Sequence, residues 1–329
     1  MRILNAADVR EALPMAAAIE AMRQAFAALS DGRAVVPMRA HMPVEKHQGV
    51  VLVMPAFVAD PGGDAMAVKV ASLFDGNPAR GLARIQAAVV AFEPTTGRPV
   101  ALLEGATLTA IRTGAASGAA TDLLARPRSR TVAVFGAGVQ ARAQLEAVCT
   151  VRRIEAVRVC DPRPGAAEAF ANELAGREPI PDDVRPAATP AETLDDADIV
   201  CAATSSVTPV FADADLKDGA HVNAVGSHQP HVQEIPPETV VRARVIVDDR
   251  QAALEEAGDL LQPIRKGLIT ADHVRADLGE LVLGRGIGRQ SDDQITLFKS
   301  VGLAVQDALA ARAALRRAER VGLGQQVSW

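Results

Sequence analysis

Hydrophobic positions in the first hundred residues follow two different periods. From Met15 to Leu29 they recur every three or four residues, which predicts an amphipathic helix that ends near Asp31. Later runs are short, rich in β-branched residues and separated by Pro, Gly and Asn, so they predict strands of a mixed or antiparallel sheet. These strands are predicted at 50–58, 65–73 and 83–93, and an alanine-rich helix is predicted at 108–124.

The pattern changes at Thr131, where short runs that are apolar on both faces begin to alternate with helix-forming segments. Such runs are typical of a doubly wound parallel sheet covered by helices. Residues 295–320 predict one long amphipathic helix that returns to pack on the first domain. The predicted fold class is therefore α/β, a Rossmann-type doubly wound parallel sheet plus a mixed α+β domain. The five predicted strands are 131–135, 157–160, 198–204, 220–225 and 244–248.

Length and charge narrow the possible functions. With 329 residues the chain is about twice the usual domain size, which favours two domains. Its 40 acidic residues outnumber its 35 basic ones, giving a net charge of −5 at pH 7. Tyr is absent, and there are only one Trp and eight Phe. A nucleic-acid binder needs a basic surplus and aromatic side chains for stacking, so this class is not expected.

Cysteine usage and the apolar runs indicate the compartment. The three cysteines, Cys149, Cys160 and Cys201, show no Cys-x-x-Cys or Cys/His spacing, so neither a metal site nor a disulfide framework is expected. No uncharged stretch reaches the roughly 18 residues needed to span a bilayer. The charged N-terminal residues do not fit a signal peptide. We therefore expect a cytoplasmic protein that does not act on membranes.

A glycine-rich turn follows the first strand of the second region. The segment GAGVQA at 136–141 is a G-x-G-x-x-A pattern placed between a strand and a helix-forming run. In this pattern Gly136 makes the tight turn and Gly138 lets the backbone approach a pyrophosphate. Asp161 lies twenty residues beyond Ala141 at the end of the next strand, where an acid binds the ribose hydroxyls. The pattern predicts a dinucleotide site; the alternative is a glycine turn without a ligand.

The identity of the dinucleotide depends on two neighbouring residues. The carboxylate of Asp161 would repel a 2′-phosphate and favours NAD, whereas Arg163 could pair with that phosphate, so NADP stays possible. Thr204 and Ser205 follow the third strand and are expected either at the cofactor or in a simple strand-end turn. The predicted cofactor-binding residues are Gly136, Gly138, Val139, Gln140, Asp161, Arg163, Thr204 and Ser205.

Two isolated cations mark a possible substrate site. Arg112 lies in an apolar helical segment and Lys69 in an apolar strand, and buried cations are costly unless an anion meets them. Because Arg binds planar carboxylates through parallel hydrogen bonds, the pair suggests a small carboxylate-bearing substrate. The alternatives are a Lys on an exposed edge and an Arg paired with Glu104 or Asp122.

A histidine follows the fourth strand of the second region. His228, in the segment AVGSHQP at 224–230, could exchange a proton near neutral pH. The alternative is an incidental loop histidine, as His221 and His231 could equally be.

Motifs along nearly the whole chain resemble the ornithine cyclodeaminase/mu-crystallin family. They are MPAF at 54–57, VKV around Lys69, Asn77–Leu82, residues 96–117, FGAGVQARAQ, AVGSHQP and residues 295–307. The resemblance implies a homodimer in which 1–120 with 299–329 form the substrate-binding and dimerisation domain. Residues 121–298 would form the NAD(P)-binding Rossmann domain. It also implies that Arg112 and Lys69 hold the substrate carboxylate, with Arg39 as a third contact.

The resemblance departs from ornithine cyclodeaminases at the histidine loop. Those enzymes carry a catalytic Asp where this chain has His228, and a Lys where it has Val232. The resemblance implies hydride transfer at the Cα–N bond of a small amino or imino acid, with His228 and Lys69 as the catalytic candidates. The departure favours a cyclic ketimine reductase, acting on pyrroline- or piperideine-2-carboxylate, or an amino-acid dehydrogenase. Ornithine cyclodeamination and a non-catalytic ligand-binding protein stay as alternatives.

Overall fold

The computed structural model describes residues 1–227 and 229–328, so the predicted catalytic residue His228 lies outside the described residues. The helices over these ranges are Ala6–Ala12 (α1), Met15–Ser30 (α2), Gly105–Leu124 (α3), Val139–Val151 (α4), Ala166–Leu174 (α5), Pro190–Leu194 (α6), Pro237–Arg242 (α7), Arg250–Glu256 (α8), Gly258–Arg265 (α9), Leu278–Val282 (α10) and Ala304–Val321 (α11). None of them is both long and apolar enough to cross a membrane.

The strands form two separate sheets. They are Arg2–Leu4 (β1), Ala34–Val35 (β2), Ala40–Val44 (β3), Gly49–Val58 (β4), Ala65–Phe74 (β5), Ile85–Phe92 (β6), Pro99–Glu104 (β7), Thr131–Phe135 (β8), Ala156–Cys160 (β9), Val184–Pro186 (β10), Ile199–Ala202 (β11), His221–Ala224 (β12), Arg244–Val247 (β13), Val274–Asp277 (β14), Thr296–Lys299 (β15) and Gln325–Gln326 (β16).

The chain divides into two compact units. The first comprises Met1–Arg112 with Leu303–Trp329, and the second comprises Thr113–Gly302. The first boundary falls inside α3, whereas the sequence placed it after residue 120. The domain roles expected from the resemblance stay predictions.

The first unit is a mixed sheet packed on helices. Its strand order is β16-β1-β7-β6-β5-β4-β2, with β3 beside β4; β1 and β7 are parallel and the other pairs antiparallel. Alternate residues of the central strands face the core, and Met54, Lys69 and Val89 are buried neighbours in register. Helix α11 packs on α2, β4 and β5, so its residues cover the face that carries Lys69. The predicted return of the last helix to this domain is therefore seen.

The second unit is a doubly wound parallel sheet. Its strand order is β10-β9-β8-β11-β12-β15-β13-β14, and every strand pair is parallel. The strand order reverses between β8 and β11, which is the switch point at which such sheets bind nucleotides. This architecture confirms the predicted fold class.

The prediction of a continuous helix over 295–320 is wrong. Residues 296–299 form β15, which pairs with β12 on one side and β13 on the other. All four side chains are buried, and Gly302 has a φ of +79°, a left-handed conformation that separates the strand from α11. A short apolar run does not distinguish a strand from a helix, and here hydrogen bonds to two neighbouring strands decide.

Candidate active site

The glycine turn of the second unit meets the requirements of a close phosphate approach. Gly136 has a φ of +94°, and a Cβ there would lie 2.8 Å from the Ala203 carbonyl oxygen, so the position needs glycine. A Cβ on Gly138 would meet nothing within 4 Å. Gly138 is also the N-cap of α4, and no described side chain caps that helix. The N-terminus of α4 is therefore uncapped by any described side chain and open beside Gly138, and such a helix end favours an anion.

Two side chains beside this turn fit a dinucleotide. The Gln140 Oε1 atom is buried and has no hydrogen-bond partner among the described residues, so it can accept from a ligand. Val139 is 68% exposed at the helix start. The open space at Gly138 leaves room for a diphosphate, and the Gln140 oxygen can accept from a hydroxyl group of the same ligand. Gly138, Val139 and Gln140 would then hold the cofactor.

Asp161 lies at the end of β9 and contacts the same turn. Its carboxylate accepts a hydrogen bond from the Ala137 N–H at 2.7 Å and pairs with the Arg163 guanidinium at 2.8 Å. The hydrogen bond from Arg163 is the largest cause that lowers the pKa of Asp161 to about 2. Asp161 is therefore ionised at neutral pH and can accept hydrogen bonds from ribose hydroxyls. Arg163 is held by Asp161, which opposes its use for a 2′-phosphate.

Thr204 lies beside the glycine turn, and its backbone is held by a residue that the sequence analysis missed. A Cβ on Gly136 would approach the Thr204 Cγ2 atom to 3.3 Å. The Thr204 N–H donates to the Glu234 Oε1 atom at 2.6 Å. Ser205 is exposed. Glu234 lies thirty residues after Thr204 in the chain, and no sequence motif links the two positions.

The two cations of the first unit meet a shared carboxylate. The Lys69 Nζ atom lies 2.6 Å from Asp307 Oδ2, and the Arg112 Nε atom lies 3.1 Å from Asp307 Oδ1. Arg112 also donates to the Gln306 Oε1 atom at 2.5 Å. All four side chains are buried. Asp307 and Gln306 were not predicted as site residues, although they stand at the end of the family-like run 295–307.

Glu104 and Asp122, the two alternative partners of Arg112, each have other partners. Glu104 accepts hydrogen bonds from the N–H groups of Ala106 and Thr107 and so caps the start of α3. Asp122 pairs with Arg152 at 2.7 Å. The exposed-edge alternative for Lys69 is also wrong, because its side chain is 3% exposed.

The charge balance of this cluster favours an anion. Burial is the largest cause that lowers the pKa of Lys69, to about 8; Asp307 raises it, and Arg112 and Arg39 lower it further. Lys69 is mostly protonated at neutral pH, so one carboxylate balances two buried cations and Arg39 adds positive potential. An ammonium and a guanidinium have more N–H donors than these contacts use. The cluster can therefore bind the carboxylate of a small molecule.

The fold and these residues define a dinucleotide-binding α/β protein whose first unit carries a buried cationic cluster suited to a carboxylate. The model of the ornithine cyclodeaminase/mu-crystallin family matches residues 1–321, and the chain belongs to this family. The resemblance seen in the sequence is thus confirmed.

Similar proteins are known from sequence and from solved structures. A Δ1-pyrroline-2-carboxylate reductase of Bacillus cereus is 38% identical over 330 residues, with 100% of each chain covered. The structure of Thermococcus litoralis Δ1-pyrroline-2-carboxylate reductase in complex with NADH and L-proline has a TM-score of 0.94 at 40% identity, covering 99% of this chain and 100% of that one. An archaeal alanine dehydrogenase dimer with bound NAD has a TM-score of 0.91 at 31% identity, covering 100% and 99%.

Proposed function

We propose that this protein is an NAD-dependent reductase of a cyclic ketimine acid such as Δ1-pyrroline-2-carboxylate, forming the corresponding cyclic amino acid. The observation that carries the proposal is the buried Lys69–Asp307–Arg112 cluster, which keeps a positive charge in an apolar unit. The reductases from Bacillus cereus and Thermococcus litoralis, similar over the full chain, support the substrate class.

The chain's own residues would bind and orient the imino acid. Arg112 and Lys69 would donate hydrogen bonds to its carboxylate, and Arg39 would add a third contact. Asp307 keeps the two buried side chains in place because it bridges them. The bound reduced nicotinamide supplies the hydride that the imine carbon accepts.

Reduction of the imine also requires one proton at nitrogen. His228 is proposed as its donor because a histidine titrates near neutral pH. Lys69 is a second candidate, since a pKa of about 8 keeps most of its ammonium protonated at pH 7. A histidine is less suited than a carboxylate to hold the second, cationic ammonium of ornithine, so the loop favours reduction over cyclodeamination.

The deciding experiment follows NADH absorbance with Δ1-pyrroline-2-carboxylate and Δ1-piperideine-2-carboxylate. In parallel, L-ornithine with catalytic NAD+ is assayed for proline and ammonia. NADH-dependent reduction of the imines without rapid proline formation from ornithine is the expected result. Rapid proline and ammonia release with no imine reduction would establish a cyclodeaminase instead. Binding of NADH without turnover of any substrate would indicate a ligand-binding protein.

We also propose that the protein acts as a homodimer in the cytoplasm. The outer face of the first-unit sheet carries apolar side chains, and Val53 and Val70, which are partners in register, are 36% and 39% exposed. An apolar sheet face of this kind favours a protein partner. Light scattering coupled to gel filtration should give a dimer, and the Val53→Asp/Val70→Asp double variant should give a monomer. A monomeric wild type would contradict the proposal.

A further inference from the structure

A second buried charge cluster lies in the second unit, and one of its members bonds the Thr204 loop beside the glycine turn. Glu234, Asp259 and Lys299 are each completely buried, and the Lys299 Nζ atom lies 2.8 Å from Asp259 Oδ2. Two carboxylates and one ammonium are therefore enclosed together. Burial of ions is costly unless each is paired and hydrogen-bonded, so the contacts of each member show what the cluster does.

Glu234 joins the loops that follow two neighbouring strands. Its Oε1 atom accepts from the Thr204 N–H at 2.6 Å, in the loop after β11. Its Oε2 atom accepts from the Gly226 N–H at 2.9 Å, in the loop after β12. A Cβ on Gly226 would collide with the Thr204 carbonyl oxygen and the Glu234 carboxylate. One carboxylate thus ties the two loops at the carboxyl edge of the sheet.

Asp259 and Lys299 bond the backbone of the segment 227–235, which contains Glu234. The Asp259 Oδ1 atom accepts from the N–H groups of Glu234 at 2.6 Å and Ile235 at 2.9 Å. Lys299, at the end of β15, donates to the carbonyl oxygen of Ser227 as well as pairing with Asp259. The backbone is therefore held at Ser227 and again at 234–235, on both sides of position 228 in the chain.

We propose that Glu234, Asp259 and Lys299 are positioning residues for imine reduction. They hold the backbone at 226–227 and at 234–235 and join it to the Thr204 loop beside the glycine turn. This inference rests on the proposed function. The carboxyl edge of a doubly wound sheet is where the dinucleotide binds, so displacement of these loops disturbs the alignment of the reacting groups.

The first test is the Glu234→Gln variant. A Gln side chain has one acceptor oxygen, and its NH2 group would face a backbone N–H donor, so one of the two loop contacts is lost. We expect kcat to fall about 10- to 100-fold, as for small misplacements of reacting groups. The NADH Kd should change less than about fivefold, or about 1 kcal/mol, because the turn at 136–138 is built by other strands. Hydrogen exchange should accelerate in peptides covering 225–235.

The matched control is Glu238→Gln, a nearby carboxylate that is exposed. It should leave kcat, KM and loop exchange unchanged. A Glu234→Gln variant with wild-type kcat and KM would overturn the proposal. Loss of kcat with unchanged melting temperature and faster exchange confined to the loop would support it.

A second variant covers the case in which Glu234→Gln does not fold. Asp259→Asn with Lys299→Met removes both members of the ion pair, and joint replacement of a buried pair is usually tolerated. The Asn oxygen can still accept from the N–H groups of Glu234 and Ile235, whereas the ion pair and the hydrogen bond from Lys299 to Ser227 are both lost. We expect a folded protein with the same loss of kcat; wild-type kcat would overturn the proposal. A wild type that reduces no imine would refute the reductase function. If the wild type is active and the variants keep its kcat and its hydrogen exchange in peptides 225–235, only the positioning role is refuted.

Discussion

The ammonium of Lys69 and the carboxylate of Asp307 form a buried ion pair, with Nζ 2.6 Å from Oδ2, between the central strand β5 and the last helix α11. The other carboxylate oxygen of Asp307 binds Arg112. The single negative charge of Asp307 is therefore shared between two cations, so the three groups together keep a net positive charge. Asp307 raises the pKa of Lys69 against the larger lowering caused by burial, and the cluster keeps positive charge for a substrate carboxylate.

The first prediction concerns the pH dependence of the wild type. The pKa of Lys69 is lowered to about 8, so its ammonium is present below that pH and is lost as the pH rises through it. If the ammonium binds substrate, kcat/KM for the imino acid should fall above about pH 8, since this parameter reports the free enzyme. Asp307→Asn removes a cause that raises the pKa, so the fall should move to lower pH. The control is Asp75→Asn at the surface; an unmoved profile in Asp307→Asn would contradict the assignment.

The second prediction concerns the carboxylate contact of Arg112. Arg112→Ala should weaken binding of L-proline or the imino acid by about 2–5 kcal/mol, the usual cost of truncating one member of a desolvated charge pair. This corresponds to roughly 30- to several-thousand-fold in affinity. NADH affinity, measured by fluorescence, should persist because Arg112 belongs to the first unit. Arg98→Ala, an exposed arginine of the same unit, is the control, and equal loss of NADH and substrate affinity would indicate a folding defect.

The third prediction tests the glycine turn. Gly138→Val should abolish NADH binding and leave the melting temperature nearly unchanged. A Cβ at this position would meet no atom within 4 Å beyond its chain neighbours, so the added side chain enters the space that a pyrophosphate needs. Gly76→Val, at a glycine of the first unit with equally open surroundings, should bind NADH normally. Unchanged NADH affinity in Gly138→Val would mean that the turn serves the fold alone.

The fourth prediction concerns cofactor choice. The wild type should prefer NADH, because the ionised Asp161 repels a 2′-phosphate and also holds Arg163. Asp161→Ser should raise the kcat/KM ratio of NADPH to NADH by about tenfold or more, about 1.4 kcal/mol, since Arg163 is released to pair with the phosphate. Asp161→Ser/Arg163→Ala should lose most of this gain. A ratio unaffected by either change would place the ribose elsewhere.

Local sequence signals determined most of the helices and strands. The three-to-four-residue period predicted α2 to within one residue, and the apolar runs predicted β4, β5 and the main strands of the parallel sheet. The glycine turn and Asp161 were also predictable, because a strand, a turn and a helix that follow one another in sequence stay together in space. These features depend on neighbours along the chain.

The tertiary structure decided how the charges are paired. The sequence identifies Lys69 and Arg112 as isolated cations, and it offers Arg112 only partners that are near in the chain. The structure pairs both cations with Asp307 of the last helix. Glu234 was missed for the same reason. The sequence predicts a helix at 296–299 where the structure has a strand, because only its two neighbouring strands supply the hydrogen bonds that define it. The order of the strands and the packing of the last helix bring these distant residues together. The hydrophobic periodicity of a segment carries no information about that order.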